Sequence, residues 1–232
     1  MKLLKNRLPS FLLILCIATM TAQENKKSFN FKKGQVFDII FLNQNPDKDD
    51  LLQEYFKLVF PVAQKNGYNP QPGFGIEKYT QGNYHPQSMI LGYWNSFDSR
   101  SNFINEIEVS LPDFHKRRRD LWSTFALTYW ELQEDLSFEI NLDKYNVVTA
   151  YWANEEASFS TFKNAWVNKA KQHGATLKVE LNNGASPFGY YYSPDYLVIT
   201  QWESEASFKK FYETNLKMNH QGVKHVNQFI LK

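Results

Sequence analysis

Met89-Ile-Leu-Gly-Tyr-Trp94-Asn-Ser-Phe-Asp-Ser-Arg-Ser-Asn-Phe103 and Leu197-Val-Ile-Thr-Gln-Trp202-Glu-Ser-Glu-Ala-Ser-Phe-Lys-Lys-Phe211 lie 108 residues apart and decide how the rest of the chain is read. Each is an extended apolar run ending in Trp, then a Ser placed to cap a helix, then a segment closing on Phe. Working outward, Val36-Phe-Asp-Ile-Ile-Phe-Leu-Asn43 and Val147-Val-Thr-Ala-Tyr-Trp-Ala-Asn154 repeat at an offset of 111. Each leads into a helical pattern that stops at a glycine, Gly67 and Gly174, because glycine takes the left-handed conformation past a helix end at little cost. Further on, His115 answers His220 and Phe125 answers Phe229 at offsets of 105 and 104. The offset drifts in small steps at helix ends and loops, where insertions are tolerated, and one gene duplication explains the pattern.

Each copy reads strand, helix, strand, strand, helix, strand. The pieces fall at 35–43, 48–66, 73–81, 87–94, 98–109 and 122–134, then at 146–153, 156–172, 175–182, 195–202, 204–215 and 225–231. This is the split-βαβ order. The expectation is an α+β protein of two tandem ferredoxin-like β-α-β-β-α-β units, 35–140 and 141–232, forming an α/β barrel. One unit covers one sheet face with its helices and leaves the other bare, and two units can hide their bare faces together. Phe37, Ile39 and Phe41, with Val148, Ala150 and Trp152, are expected on the helix-covered face. Asp38, Ile40, Thr149 and Tyr151 then face inward. A carboxylate there implies either a cavity holding water or a ligand, or a solvated place at the rim, since an unpaired buried charge is costly.

The amino terminus carries Lys2, Lys5 and Arg7, an apolar stretch from Leu8 to Ala18, and small residues at Thr19, Thr21 and Ala22. These are the three parts of a secretory signal peptide, and the apolar stretch is well short of the roughly 20 residues that span a bilayer. Cleavage after Ala22 is the expectation, against a retained anchor or a buried first helix. A short linker at 23–34 follows, with no membrane span in the mature chain and a periplasmic or secreted location. Cys16 is the only cysteine and lies in this segment, so the mature chain has no thiol or disulfide chemistry. Removing 1–22 leaves 23 basic against 24 acidic side chains, a formal charge of −1. Nucleic acid is excluded as a partner, because binding it needs a surplus of Lys and Arg.

The pattern of a strand ending in Trp, a small and acidic turn and a helix closing on Phe, at Trp94 to Phe103 and Trp202 to Phe211, resembles the dimeric α/β-barrel superfamily, and Trp202-Glu-Ser-Glu-Ala-Ser-Phe-Lys-Lys-Phe211 its antibiotic-biosynthesis-monooxygenase branch. The resemblance covers nearly all of the mature chain as two copies. It implies a small-molecule pocket between sheet and helices, in a superfamily that includes cofactor-free oxygenases, isomerases, haem-binding and haem-degrading proteins. Oxygenase-type members often carry Trp or His where this chain has Phe103 and Phe211. His115 and His220 match the later His of haem-degrading members. Asn43 and Asn154 stand at the far end of the strand that carries the Asn of those enzymes.

The candidate site residues follow. His115 and His220 can act as base, donor or iron ligand, or hydrogen-bond the connection into the last strand of each copy. One His per copy does not make a zinc site, which takes three or four ligands, and no metal is expected. Trp94 and Trp202 can stack on a flat ligand or fill the core. Lys116-Arg117-Arg118-Arg119 either holds a carboxylate or propionate or is a solvated basic face. Asn182-Asn-Gly-Ala-Ser-Pro-Phe-Gly-Tyr-Tyr-Tyr-Ser-Pro194, with Tyr191 at the centre of its three tyrosines, is either a loop closing over a pocket or an irregular hairpin. Phosphate-loop and nucleophile-elbow motifs are absent.

The reading is an exported protein binding a small apolar or aromatic molecule. It acts either as a cofactor-independent monooxygenase or isomerase, with His115 and His220 as proton carriers and Asp38, Tyr151, Trp94, Trp202 and Tyr191 around the ligand, or as a non-catalytic binding or interaction module. No cofactor is required, haem being a third option. With both halves of the barrel in one chain, a monomer suffices and a homodimer is the alternative.

Overall fold

In the computed structural model, which describes residues 25–232, both Trp-terminated runs are inner strands of one large antiparallel sheet. The expected signal segment 1–22, with Cys16, lies outside the described residues. Among the described residues the elements are β1 (Lys26–Phe31), β2 (Val36–Gln44), α1 (Asp49–Lys65), β3 (Tyr68–Gln81), β4 (Ser88–Trp94), α2 (Phe97–Ser110), α3 (Phe114–Leu121), β5 (Trp122–Glu131), β6 (Leu136–Asn141), β7 (Tyr145–Ala153), α4 (Glu156–Gln172), β8 (Thr176–Asn182), β9 (Tyr196–Trp202), α5 (Glu205–Asn215) and β10 (Val223–Leu231). Ser96 and Ser204 cap α2 and α5, each hydroxyl accepting from the backbone N–H three residues on at 3.1 and 3.3 Å.

The sheet runs β5-β2-β4-β3-β10-β7-β9-β8. Its two halves have the same order, fourth, first, third, second, which is the ferredoxin-like arrangement. β3 pairs with β10 and joins the halves. β3 reaches this edge as a 14-residue strand that begins earlier than its prolines suggest. Pro70 and Pro72 are accommodated because the β4 pairing shifts register between Gln71 and Phe74, and an irregularity is where a strand tolerates proline. The remaining edges, β5 and β8, meet through the segment after β8. Ala185 exchanges both backbone hydrogen bonds with Tyr129, at 2.8 and 3.0 Å, and Leu127 bridges Tyr191. Gly184 belongs on this short seam, since a Cβ there would come within 2.5 Å of Thr128 and 2.8 Å of Trp130. The result is an α/β barrel with one long seam and one short one.

Phe37, Ile39 and Phe41 of β2 and Val148 and Ala150 of β7 point into the barrel, where they join Leu197, Ile199 and Phe229 in one buried cluster. This reverses the expected facing. Both faces of the sheet are covered, and the closed interior takes the uninterrupted apolar set. The face under the helices takes the mixed one, so Asp38 and Ile40 lie beneath helices and Tyr151 among the helix-packing residues of the second half. The pairing registers also refine the internal alignment. Val36 lies opposite Trp94 and Tyr145 opposite Trp202, so Asp38 corresponds to Val147. Phe125 faces the helices while Phe229 faces the interior, so these two are not equivalent.

Residues 26–31, expected within a linker, form β1, which pairs antiparallel with β6 from Lys26 opposite Asn141 to Phe31 opposite Leu136. Alternation along the ribbon turns Phe29, Phe31, Phe138 and Ile140 onto the barrel interior. The Phe29 and Phe138 rings stack at 4.6 Å and Phe31 lies 4.6 Å from Phe37, so the ribbon stoppers one end of the barrel. Helices α1–α3 cover the outer face of the first half and α4–α5 that of the second. No helix among the described residues is long and apolar enough to cross a membrane.

Truncating a fully buried ring in this stopper, Phe31→Ala, should cost about 3–5 kcal/mol in urea denaturation. Val109→Ala on the exposed face of α2 should stay within about 0.5 kcal/mol of the parent. Equal, small effects would mean the ribbon is not part of the barrel core.

Candidate functional site

Between the outer face of the first half-sheet and α1–α3 lies a cavity of ≈ 1050 Å³. Ile40, Leu42, Ile90 and Leu127 rise from the strands as its floor, and Tyr55, Phe56, Phe60 and Ile104 descend from the helices. Pro187 to Tyr190, from the loop after β8, complete its wall. In the second half the helix layer is packed with aromatic side chains, among them Phe159, Phe162, Trp166 and Phe211. Buried positions on α1, Tyr55, Val59 and Ala63, recur on α4 as Phe162, Trp166 and Ala170 with the same spacing. Where α1 has Val59, α4 therefore has Trp166, 1% exposed. The Trp166 ring packs 5.3 Å from Phe211 and 5.9 Å from Tyr151.

Three charged or titratable groups reach the floor of the first-half cavity from β2, α2 and β3. Asp38 is 2% exposed, accepts from Trp94 Nε1 at 2.9 Å and lies 3.4 Å from Arg100 Nε without hydrogen-bond alignment. Burial holds its carboxyl above the usual carboxylate range, opposed by the Arg100 guanidinium and the Trp94 indole. Arg100 is buried because it shares a helix face with Phe103 and Ile107, and its guanidinium sits 4.2 Å over the Tyr129 ring. Opposite Asp38 on β4 is Gly92; a Cβ there would be 2.2 Å from the Tyr68 hydroxyl, so the glycine admits the Tyr68 ring beside the acid. Burial, then the Asp38 charge, raise the Tyr68 phenol.

A second polar group hangs from α3. Phe114, Arg118 and Leu121 are its buried residues, at i, i+4 and i+7, one face of a helix. Arg118 donates from Nε to the Tyr55 hydroxyl at 2.8 Å and from Nη1 to the Tyr190 hydroxyl at 3.1 Å. Its guanidinium lies 4.1 Å from the Phe114 ring centroid and 4.5 Å from that of Phe125. Lys116 and Arg117 point outward, Lys116 pairing with Asp120 and Arg117 with Asp113 and Glu54, while Arg119, though exposed, also lines the cavity. The run is thus largely a solvated face, with Arg118 buried. Tyr190 also meets His115 Nδ1 at 2.7 Å, and His115 Nε2 meets Glu108 at 2.9 Å.

The expected site residues are not gathered in one place. Asp38, Trp94 and His115 line the first-half cavity. Tyr151, Trp202 and His220 belong to the second half: Tyr151 and Trp202 are 1% exposed, Trp202 donates to Thr200 at 3.0 Å, and the His220 ring lies 5.1 Å from Phe162. Tyr191 is 74% exposed and faces a separate hollow of ≈ 530 Å³ at the barrel mouth, while its neighbour Tyr190 reaches the main cavity. Arg118, Tyr55 and Tyr190 went unremarked as a group. The signal for Arg118 was there, in its helical spacing from Phe114 and Leu121.

Among the described residues no three His, Cys, Asp or Glu side chains cluster as metal ligands. A haem would need an axial donor facing the cavity. His115 is the histidine lining it, and both of its ring nitrogens are held, by Tyr190 and Glu108. The residues present do not fit a His-ligated haem.

No family model matches the sequence, and no curated protein matches it. Among solved structures the chain is similar to an anthrone oxidase-like protein (11% identity over 88% of this chain and 94% of that one, TM-score 0.48). It is also similar to a mutant chlorite dismutase from Candidatus Nitrospira defluvii (10%, 87% and 93%, 0.47) and to a heme-binding protein from Thermus thermophilus (10%, 88% and 93%, 0.37). At these identities and scores the likenesses assign neither activity nor ligand.

Asp38 carries a pH signature. Its folded value is raised, so the fold disfavours the charged form. The stability tied to this group is fully present below about pH 4 and is lost as the pH rises through the raised folded value. The stability of the parent relative to Asp38→Asn should therefore fall from about pH 4 towards neutrality in urea denaturation. A difference that is flat with pH would mean that Asp38 titrates like an exposed carboxylate.

Proposed function

We propose that the protein is an exported small-molecule-binding α/β barrel of the dimeric α/β-barrel type, with both halves in one chain and its working site in the first-half cavity. The observation that carries this reading is the asymmetry between the halves. The same layer is open over Asp38, Ile40 and Val59 and filled by Trp166 and Tyr151. Close packing is the default of a protein interior, and a cavity of several hundred Å³ with apolar walls and a few convergent polar groups is the usual form of a ligand site. The aromatic walls, Tyr55, Phe56, Phe60, Trp94 and Phe125, favour a flat, largely apolar or aromatic compound. The resemblance of residues 202–211 to the monooxygenase branch supports the family. The basic, apolar and small-residue order of 1–22 supports export to a periplasmic or secreted location. The matching strand orders support an origin by duplication in which one of two ancestral pockets was filled.

A second reading, proton-transfer chemistry of a cofactor-independent monooxygenase or isomerase, is favoured by the contact chain Glu108–His115–Tyr190. With the Tyr190 hydroxyl donating to Nδ1 and Nε2–H donating to Glu108, the imidazole is held in one tautomer, as a general base requires. His220 stands apart from this chain and takes no part in the proposal.

The test transplants the second half's filler into the first. Val59→Trp should weaken binding of the uncharged naphthalene fluorophore 6-propionyl-2-dimethylaminonaphthalene by about tenfold or more, since a clash with a packed wall costs about 1–3 kcal/mol. Emission of the dye would be titrated alongside circular dichroism of the variant. A folded Val59→Trp that binds the dye as the parent does would place the site elsewhere.

A further inference from the structure

Arg118 is nine-tenths buried, yet it has no carboxylate within ion-pair distance among the described residues. A buried guanidinium is ordinarily paired, because removing an ion from water costs several kcal/mol that only a counter-charge with good hydrogen bonds offsets. The acids nearby are committed elsewhere: Asp38 to Trp94 and Arg100, Glu108 to His115, and Glu54 and Asp113 to Arg117. We infer that the counter-charge of Arg118 is the carboxylate of the molecule this cavity binds, so that the substrate class is an aromatic carboxylic acid.

The donors for such a group are in place. A guanidinium has five N–H bonds, and Arg118 spends one on Tyr55 and one on Tyr190, leaving three on a side chain that lines the cavity. Phe114 and Phe125 pack against the guanidinium and limit its movement, and a held fork suits a two-oxygen acceptor. Tyr55 accepts from Arg118, and its own hydroxyl hydrogen has no acceptor among the described residues, so it is a further donor. Burial raises the Tyr55 phenol and keeps that hydrogen on. Tyr190 is held by His115 and serves as a positioning residue for the fork. Arg100 already has Asp38 3.4 Å away, and Arg119 lines the cavity as an exposed side chain, so Arg118 is the buried cation left for the ligand's carboxylate. The aromatic floor and roof take the body of the acid.

This inference rests on the cavity being the binding site, and the test separates the two. The mature protein would be titrated calorimetrically with 2-naphthoate and with its uncharged ester methyl 2-naphthoate. The expected result is a preference for the acid of about tenfold or more, the scale of a charge-assisted bidentate pair. In Arg118→Met that preference of acid over ester should vanish. In Arg118→Lys, which keeps the charge and loses the fork, it should fall to an intermediate value. Equal binding of acid and ester by the parent, a comparison that needs no variant, would overturn the carboxylate and leave the cavity standing. A preference that survives in Arg118→Met would also overturn it, by placing the anion on another cation. Binding of neither compound would remove the cavity as the site, and this inference with it.

Discussion

Everything in this molecule follows from the need of two half-covered sheets to hide their bare faces. Each half places its helices on one side of four strands, and the uncovered sides carry Phe37, Ile39, Phe41, Val148, Ala150, Ile199 and Phe229. Exposing the larger of these side chains to water would cost on the order of 1.5–3 kcal/mol apiece, so the sheets close on each other and the interior is given over to packing. The β1–β6 ribbon completes the closure by covering one end with four more apolar chains. A barrel filled in this way cannot host a ligand at its centre. The layer that remains for recognition is the one between sheet and helix, and there the two halves diverge.

That divergence is carried by few positions. Trp166 against Val59 differs by the bulk of an indole, and Val147 against Asp38 by a charge. In the second half the indole of Trp202 finds Thr200, and the layer is packed with rings. In the first half the matching indole of Trp94 donates to Asp38, which needs Arg100 to be tolerated at all. A buried acid beside a poorly aligned arginine stabilises nothing by itself, since desolvation offsets most of the attraction. Its persistence beside an open space is what a binding site with set polar contacts would require, and a merely structural layer would be better served by the second half's valine.

Much of the fold was legible from Trp94, Trp202 and their capping serines, because a strand ending, a cap and an amphipathic helix each leave a local mark. The six elements of the second half fall within a residue or two of their expected places. What was not legible depends on contacts across the chain. The facing of β2 and β7 could not be read from alternation, since both faces of a covered sheet are buried and period two then tells which residues share a face but not which face is inside. The ribbon was missed because β1 is a six-residue strand whose partner lies about a hundred residues further along the chain. α3 was hidden in a run of four basic residues that reads as a solvated tail until Phe114 and Leu121 are set on the same helical face as Arg118. The site followed the same logic: Asp38, Trp94 and His115 were visible as chemistry, whereas Tyr190 could be told from Tyr191 only by the path of the loop.

That loop links the barrel to its site. The chain leaving β8 first pairs Ala185 with Tyr129 on β5, closing the short seam, and five residues later delivers Tyr190 to Arg118 and His115. Thr128 donates to the Tyr192 carbonyl on the far side, so the tyrosine run is clamped at both ends to β5, the strand that also presents Phe125 and Leu127 to the cavity. Barrel closure and assembly of the cavity wall are therefore one event, made by a segment of the second half on a strand of the first. A single unit of this fold would lack that wall, because Pro187 to Tyr190 come from the loop after β8 while the floor of the cavity comes from β2, β4 and β5.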